Sequence, residues 1–172
     1  MKKGFTLLFA VLISSLLLSI GIAILDLTLK EFLLSSAGRE SQFAFYAADD
    51  AMECALYWDH NIPGGISGSS FATSTATELT VNPADLKCNG IQLANYVSAP
   101  DVTSAVTSFD VSYAVPTEED VNVRPCAKIV ITKTSSSTPD GIATATQIES
   151  RGYDTCDTSN PHQTERGIQS NY

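Results

Sequence analysis

The four cysteines are the side chains of this sequence best suited to form disulfides or to bind a metal ion. Cys54, Cys88, Cys126 and Cys156 are spread along the chain, and no two of them form a C-x-x-C pair. This spacing favours disulfides over a zinc site. Four cysteines allow three pairings, and structural disulfides belong to oxidising compartments, so the pattern predicts an exported domain.

The two histidines are poorly placed for catalysis. His60 lies near the predicted end of the helix and His162 in a polar tail segment. The sequence contains no G-x-S-x-G elbow, H-E-x-x-H motif, phosphate-binding loop or dinucleotide fingerprint. We therefore expect no enzyme activity, no catalytic residue and no cofactor.

Three groups of oxygen-bearing side chains could bind calcium if further oxygens converged on them. The groups are Asp49, Asp50 and Glu53; the run Glu118 to Asp120; and Asp154, Asp157 and Asn160. Solvated acidic surfaces are the favoured interpretation of all three, so no metal site is predicted.

The charge balance disfavours direct nucleic-acid binding. Asp and Glu outnumber Lys and Arg by 19 to 10, giving a formal charge of −9, and no basic cluster occurs beyond Lys2 and Lys3. Phosphate contacts require a basic surface.

The amino-terminal segment is apolar enough to seek lipid. Phe5 to Leu25 carries no charge, and as a helix it would span about 31 Å, close to the ~30 Å hydrocarbon core of a bilayer. Lys2 and Lys3 predict a cytoplasmic amino terminus with everything from Asp26 onward exported. The run is longer than the apolar region of a cleaved secretory signal, so hydropathy alone indicates an uncleaved signal anchor.

The residues around this segment change that interpretation. Met1 to Leu8 reads MKKGFTLL, which resembles the leader of type IV prepilins and pseudopilins. The resemblance implies a cytoplasmic leader of residues 1–4, cleavage between Gly4 and Phe5 by a prepilin peptidase, and methylation of the new terminal amine. Glycine suits such a site because it has no Cβ to obstruct the protease.

A second resemblance lies further along the chain. Ala37 to Glu40 and Phe45 to Glu53 are similar to the helix of minor pilins of the PilX type. Most major pilins carry a glutamate five residues into the mature chain, where this sequence has Phe9, and the resemblance therefore implies a minor or initiating subunit. The implied partners are other pilin or pseudopilin subunits through the amino-terminal helix, an inner-membrane assembly platform, and the lipid bilayer before assembly.

Helical features continue past the apolar run. No proline occurs from Phe5 through Ile62, so the pattern predicts one helix from Phe5 to about Asp59. Its second half carries a narrow face of small residues on which a sheet could pack closely. These residues are Ala44, Ala47, Ala48, Ala51 and Ala55. The segment Asn61 to Gly65 then ends the helix.

The remainder, residues 61–172, predicts an exported domain with an antiparallel sheet, and the fold class is α+β. Period-two alternation predicts strands over 109–115, 127–133 and 142–150, with a last strand over 166–172. Residues 66–105 are expected to form a variable connection with one or two short strands. Ser135 to Gly141 predicts a hairpin turn.

The predicted hairpin favours one disulfide pairing. If the chain folds about Ser137 and Thr138, Cys126 lies opposite a residue near Ser150, and Cys156 is within reach of a local bend. The favoured pairs are Cys126 with Cys156 and Cys54 with Cys88, although the other pairings remain open.

The sequence as a whole indicates a single-pass membrane protein that is processed and built into a filament. The globular part then lies at the cell surface. Two alternatives remain: a pseudopilin of a type II secretion system, and a surface binding protein or adhesin that keeps residues 1–4 as part of an uncleaved anchor.

Overall fold

The computed structural model describes residues 3–63, 66–73, 81–113, 124–139 and 141–172. It contains one long helix, α1 (Lys3–His60), and a small antiparallel sheet, which confirms the α+β fold class. The bounds of α1 lie close to those predicted from the absence of proline. The chain divides into two compact units, residues 1–39 and residues 40–172.

The main sheet is a meander of five antiparallel strands, in the order β5-β6-β7-β8-β9. Two short strand pairs precede it: β1 (Asn61–Ile62) with β2 (Ile66–Ser67), and β3 (Lys87–Cys88) with β4 (Ile91–Gln92). Its strands are β5 (Ala94–Pro100), β6 (Ser104–Ser112), β7 (Cys126–Thr138), β8 (Gly141–Tyr153) and β9 (Glu165–Asn171).

The first two strands of this sheet differ from the sequence prediction. β5 lies inside the region expected to form a connection, and β6 begins at Ser104 instead of Phe109. In β5 only Tyr96 and Ser98 are half-buried, so the strand lacks the apolar alternation that sequence reasoning detects. Residues 114 and 115, which were predicted to end β6, lie outside the described residues.

The β7–β8 hairpin folds later than predicted. Its last pair is Thr138 with Gly141, and Cys126 therefore lies opposite Tyr153 instead of Ser150. Gly141 has a φ of 138°, a backbone conformation that a residue with a Cβ rarely adopts. This glycine sets the register of the longest strand pair in the sheet.

The core lies between the second half of α1 and one face of the sheet. Strands β6 and β7 alternate buried and exposed side chains, as expected for a sheet covered on one face. Phe109 of β6 stacks on Phe71, with ring centroids 5.7 Å apart. Ala51, Met52 and Ala55 of α1 belong to the same buried cluster, which holds this part of the helix on the sheet.

Candidate assembly segment and the contacts that support it

The first half of α1 exposes a nearly continuous set of large apolar side chains. Between Phe5 and Leu34 they are 45 to 76% exposed. They are Phe5, Leu7, Leu8, Phe9, Val11, Leu12, Ile13, Leu16, Leu17, Leu18, Ile20, Ile22, Ile24, Leu25, Leu27, Leu29, Phe32, Leu33 and Leu34. We call this stretch the apolar segment. Up to Leu25 the segment carries no charge, and a helix that is apolar on all sides requires lipid or other helices around it.

By length and composition this helix could cross a membrane. The described residues contain one such helix, and it lies near the amino terminus. The length and composition of this helix therefore fit a membrane anchor or a signal.

Four hydroxyl groups of the apolar segment form hydrogen bonds within the helix itself. Each of these four donates a hydrogen bond to the carbonyl oxygen three residues earlier, at 2.9 to 3.0 Å. The donors are Ser14, Ser15, Ser19 and Thr28. A hydroxyl that already donates to its own backbone enters an apolar environment at a lower cost. Sequence reasoning had not identified these bonds.

Charges first appear near the end of this stretch. Asp26 and Lys30 form an ion pair at 2.8 Å, one helical turn apart, and both side chains are well exposed. Because both side chains are so exposed, the pair adds little stability. Its two charges mark the end of the uncharged run, where the sequence predicts the edge of the lipid.

The structure places the predicted processing residues at the start of α1. Gly4 and Phe5 lie in its first turns, together with Lys3, and Lys2 lies outside the described residues. The rings of Phe5 and Phe9 stack with centroids 6.4 Å apart. Phe9 therefore continues an aromatic surface at the position where the resemblance would place a carboxylate.

In the second half of α1, one face is buried and not exposed. We call residues 44–59 the packed half. The small-residue face predicted from sequence is fully or almost fully buried. A Cβ added to Gly152 of β8 would collide with the carbonyl oxygen of Ala44 and the amide nitrogen of Ala48. Ser150 Oγ donates a 2.8 Å hydrogen bond to the carbonyl of Ala48. The helix and β8 therefore approach each other at backbone distance.

The disulfides form the pairs favoured by the sequence. Cys54 of the packed half is bonded to Cys88 of β3, with Cα atoms 5.8 Å apart, and Cys126 is bonded to Cys156, with Cα atoms 5.6 Å apart. Beside the first bond, Trp58 Nε1 donates to the carbonyl of Lys87 at 3.1 Å. The packed half is thus tied covalently and by hydrogen bonds to the segment that precedes the main sheet.

No family model, curated protein or solved structure matches this chain.

The end of the packed half is held by a buried ionic cluster that sequence reasoning missed. Asp59 and Lys133 form an ion pair, with side chains 3% and 4% exposed. Ser69 Oγ donates to Asp59 Oδ1 at 2.7 Å and accepts a hydrogen bond from Lys133 Nζ at 2.7 Å. Tyr172 donates its hydroxyl to Asp59 Oδ2 at 2.6 Å. The cluster joins α1, the following loop, β7 and the residue after β9.

Burial and hydrogen bonding act in opposite directions on Asp59. Burial raises the pKa of its carboxyl group, but hydrogen bonds from Lys133, Tyr172 and Ser69 outweigh that effect, and the net pKa is lowered. Burial and the neighbouring Asp59 carboxylate both raise the pKa of Tyr172. Asp59 is therefore an anion and Tyr172 a neutral donor at neutral pH.

One sequence signal could have revealed this cluster. Ala127, Ile129 and Ile131 are the inward residues of β7, and Lys133 is the next position in the same alternation. A lysine on a buried face requires an anionic partner.

The acidic groups considered for calcium remain dispersed. Asp50 on α1 accepts a 3.3 Å hydrogen bond from Asn89, and Asp157 accepts hydrogen bonds from Ser159 in a local turn. Glu118 to Asp120 lie outside the described residues. Within the described ranges, no group of three or more His, Cys, Asp or Glu side chains is arranged to hold a metal ion.

Proposed function

We propose that this chain is a minor type IV pilin-like subunit, cleaved between Gly4 and Phe5 and then built into a filament through its apolar segment. The observation that carries the proposal is the sharp division of α1. One half carries large exposed apolar side chains along its length, whereas the other is packed and disulfide-linked to β3.

The division suits a subunit that changes its surroundings during assembly. In the bilayer, lipid covers the apolar segment; in a filament, the equivalent helices of neighbouring subunits cover it. Both environments are apolar, so the transfer exchanges one set of dispersion contacts for another. The exported unit keeps its own core and can remain folded throughout.

Cleavage removes charge from the end that must enter the filament core. Loss of Lys2 and Lys3 changes the formal side-chain charge from −9 to −11. A lysine in an apolar core without a partner is costly, and its removal therefore favours assembly.

Two other functions are compatible with the same helix. A secretion-system pseudopilin would differ in its partners, and an anchored surface binding protein would retain residues 1–4. The leader motif MKKGFTLL and the adjoining apolar run favour a processed subunit over the permanent anchor.

Intact mass and amino-terminal sequence of the protein recovered from membranes or shed filaments test the proposal. We expect a chain that begins at Phe5, with a methylated amine. Gly4→Leu should abolish cleavage, while Gly21→Leu is the matched control, because Gly21 lies within the same helix and a Cβ there meets no atom within 4 Å. A wild-type chain that still begins at Met1 would support the anchored surface protein instead.

A further inference from the structure

A short stretch of α1 lies between the apolar segment and the packed half, and we call residues 35–42 the linking segment. Its sequence, SSAGRESQ, contains no large apolar residue. Residues 35–39 and 42 are exposed, and residues 40 and 41 are half-buried. Leu34 before it is 76% exposed and Ala44 after it is fully buried. This part of the helix therefore has neither the side chains that lipid would cover nor a place in the core.

The contacts of the linking segment with the sheet lie near its carboxyl end. Ser41 Oγ accepts a hydrogen bond from Arg166 Nε of β9 at 2.8 Å. The boundary between the two compact units of the chain falls two residues earlier, between Arg39 and Glu40. Most of the stability of a helix in a protein comes from packing of one face, and residues 35–39 have no buried face.

The residue types of the linking segment also disfavour a helix. Glycine is the least favourable residue in a helix apart from proline, and serine is less favourable than alanine. Ser35, Ser36, Gly38 and Ser41 make up half of the segment. A Cβ built on Gly38 would meet no atom within 4 Å, so packing does not require a glycine there. Glycine and serine close together are a common cause of helix bends.

Gly21 shows why the surroundings matter as much as the residue type. A Cβ at Gly21 also meets no atom within 4 Å, but this glycine lies inside the uncharged run of α1. Lipid or other helices around that run exclude the water that would compete for its backbone hydrogen bonds. Water reaches the exposed linking segment, so an opened backbone there can form hydrogen bonds with solvent instead.

We propose that the linking segment is a hinge, at which α1 opens locally while the apolar segment and the packed half stay helical. Opening uncovers no buried apolar side chain of residues 35–39 and exchanges a few exposed backbone hydrogen bonds for bonds to water. It stops at the packed half, which is held by its core contacts and by the Cys54–Cys88 bond.

Such a hinge absorbs rotation in a few residues and leaves the elements on either side unchanged. Residues 44–172 could then reorient while the apolar segment keeps its own surroundings. The proposal requires only that lipid, detergent or other helices cover the apolar segment. It does not depend on the filament function.

Amide hydrogen exchange of the full chain in detergent micelles, measured by mass spectrometry of its peptides, tests the proposal. We expect amides 36–42 to exchange about tenfold faster, or more, than amides 10–24 and 45–58. Gly38→Ala should slow exchange at 36–42 about fivefold, because alanine favours the helix over glycine by about that factor. Gly21→Ala is the matched control and should leave exchange at 36–42 unchanged.

Limited digestion with trypsin gives a second readout on the same samples. Between Lys3 and Lys87 the sequence offers trypsin two sites, Lys30 and Arg39, and a glutamate follows each of them. Cleavage follows the population of the open form when opening is fast relative to cleavage. We expect the first cut after Arg39, which releases residues 40–172. Gly38→Ala should slow this cut about fivefold and leave the slower cut after Lys30 unchanged.

Three results would overturn the proposal. They are protection of amides 36–42 equal to that of amides 45–58, equal effects of Gly38→Ala and Gly21→Ala on amides 36–42, and cleavage after Lys30 as fast as cleavage after Arg39. A chain that opens at the hinge but still begins at Met1 would refute only the proposed function.

Discussion

Within α1, the packed half and the apolar segment differ in the size of their apolar side chains and in what can cover them. The packed half carries alanines on one face, and a glycine and a serine of β8 approach its backbone directly. The apolar segment carries leucine, isoleucine and phenylalanine on all sides, and these remain exposed. Small residues allow a partner within the chain to come close, whereas large residues in every direction require partners outside it. Substitutions in the two halves should therefore affect different properties.

The largest expected loss of stability is from breaking the buried ion pair at the end of the packed half. Lys133→Met leaves the Asp59 carboxylate buried without its cation and should lower the free energy of unfolding by about 3–5 kcal/mol. Lys128→Met, on an exposed position of the same strand, is the control and should change it by less than about 0.5 kcal/mol. Urea unfolding followed by the fluorescence of Trp58, the single tryptophan, measures both.

The double variant Asp59→Leu/Lys133→Met sharpens this prediction. An apolar pair of similar volume should recover most of the loss, because neither buried charge remains. A double variant no more stable than Lys133→Met would show that the ion pair is not the source of the effect.

The same carboxylate predicts a pH dependence. Folding lowers the pKa of Asp59 from its ordinary value of 3.8. The resulting stability is fully present above about pH 4 and is lost as the pH falls through the lower, folded-state pKa. The difference in unfolding free energy between wild type and Asp59→Asn should therefore shrink as the pH falls below 4. A difference that stays constant from pH 6 to pH 2 would contradict the assignment.

Loss of the disulfide at Cys54 and Cys88 should have the next largest effect. The double serine variant should lose about 2–4 kcal/mol, because the bond closes a loop across 34 residues. Removal of the Cys126–Cys156 bond, which spans 30 residues, should cost a similar amount. Only the first should accelerate amide hydrogen exchange in the packed half at residues 51–58. Equal acceleration by both would show that the first bond does not hold the helix specifically.

Gly152→Ala tests the close approach of helix and sheet. The new Cβ would meet backbone atoms of Ala44 and Ala48, and displacing them should cost about 1–3 kcal/mol. Gly167→Ala is the matched control, since its Cβ would lie 3.8 Å from the nearest atom, the Ser150 carbonyl oxygen. Thermal unfolding should separate the two variants, and equal melting temperatures would mean that the helix can shift freely.

The smallest effect on folding is expected in the apolar segment. Leu17→Ala removes a side chain that is 64% exposed, so the free energy of unfolding of residues 40–172 should change by less than about 0.5 kcal/mol. Under the proposed function the same change should reduce recovery of the chain in filaments. A large loss of stability in residues 40–172 would contradict the distinction between the halves of α1.

The sequence predicted the features that depend on local pattern. Helix length followed from the absence of proline and the small-residue face from helical spacing, and three strands followed from alternation. The sequence did not identify β5 as a strand of the main sheet, because few of its side chains are buried. The predicted register of the β7–β8 hairpin was wrong, because the turn lies between Thr138 and Gly141 and not at Ser137 and Thr138. The candidate segment was visible in hydropathy, but its internally bonded hydroxyls required side-chain geometry.

By itself, the sequence determined that one end of this protein seeks an apolar environment and the other forms a cross-linked domain. Hydropathy, charge and cysteine content are properties of composition and spacing, and no fold is needed to read them. Only the tertiary structure decided that Asp59 meets Lys133 and Tyr172, residues 74 and 113 positions away. It also decided that β5 and β9 are the two edges of the main sheet, because strand order depends on how separate segments of the chain align.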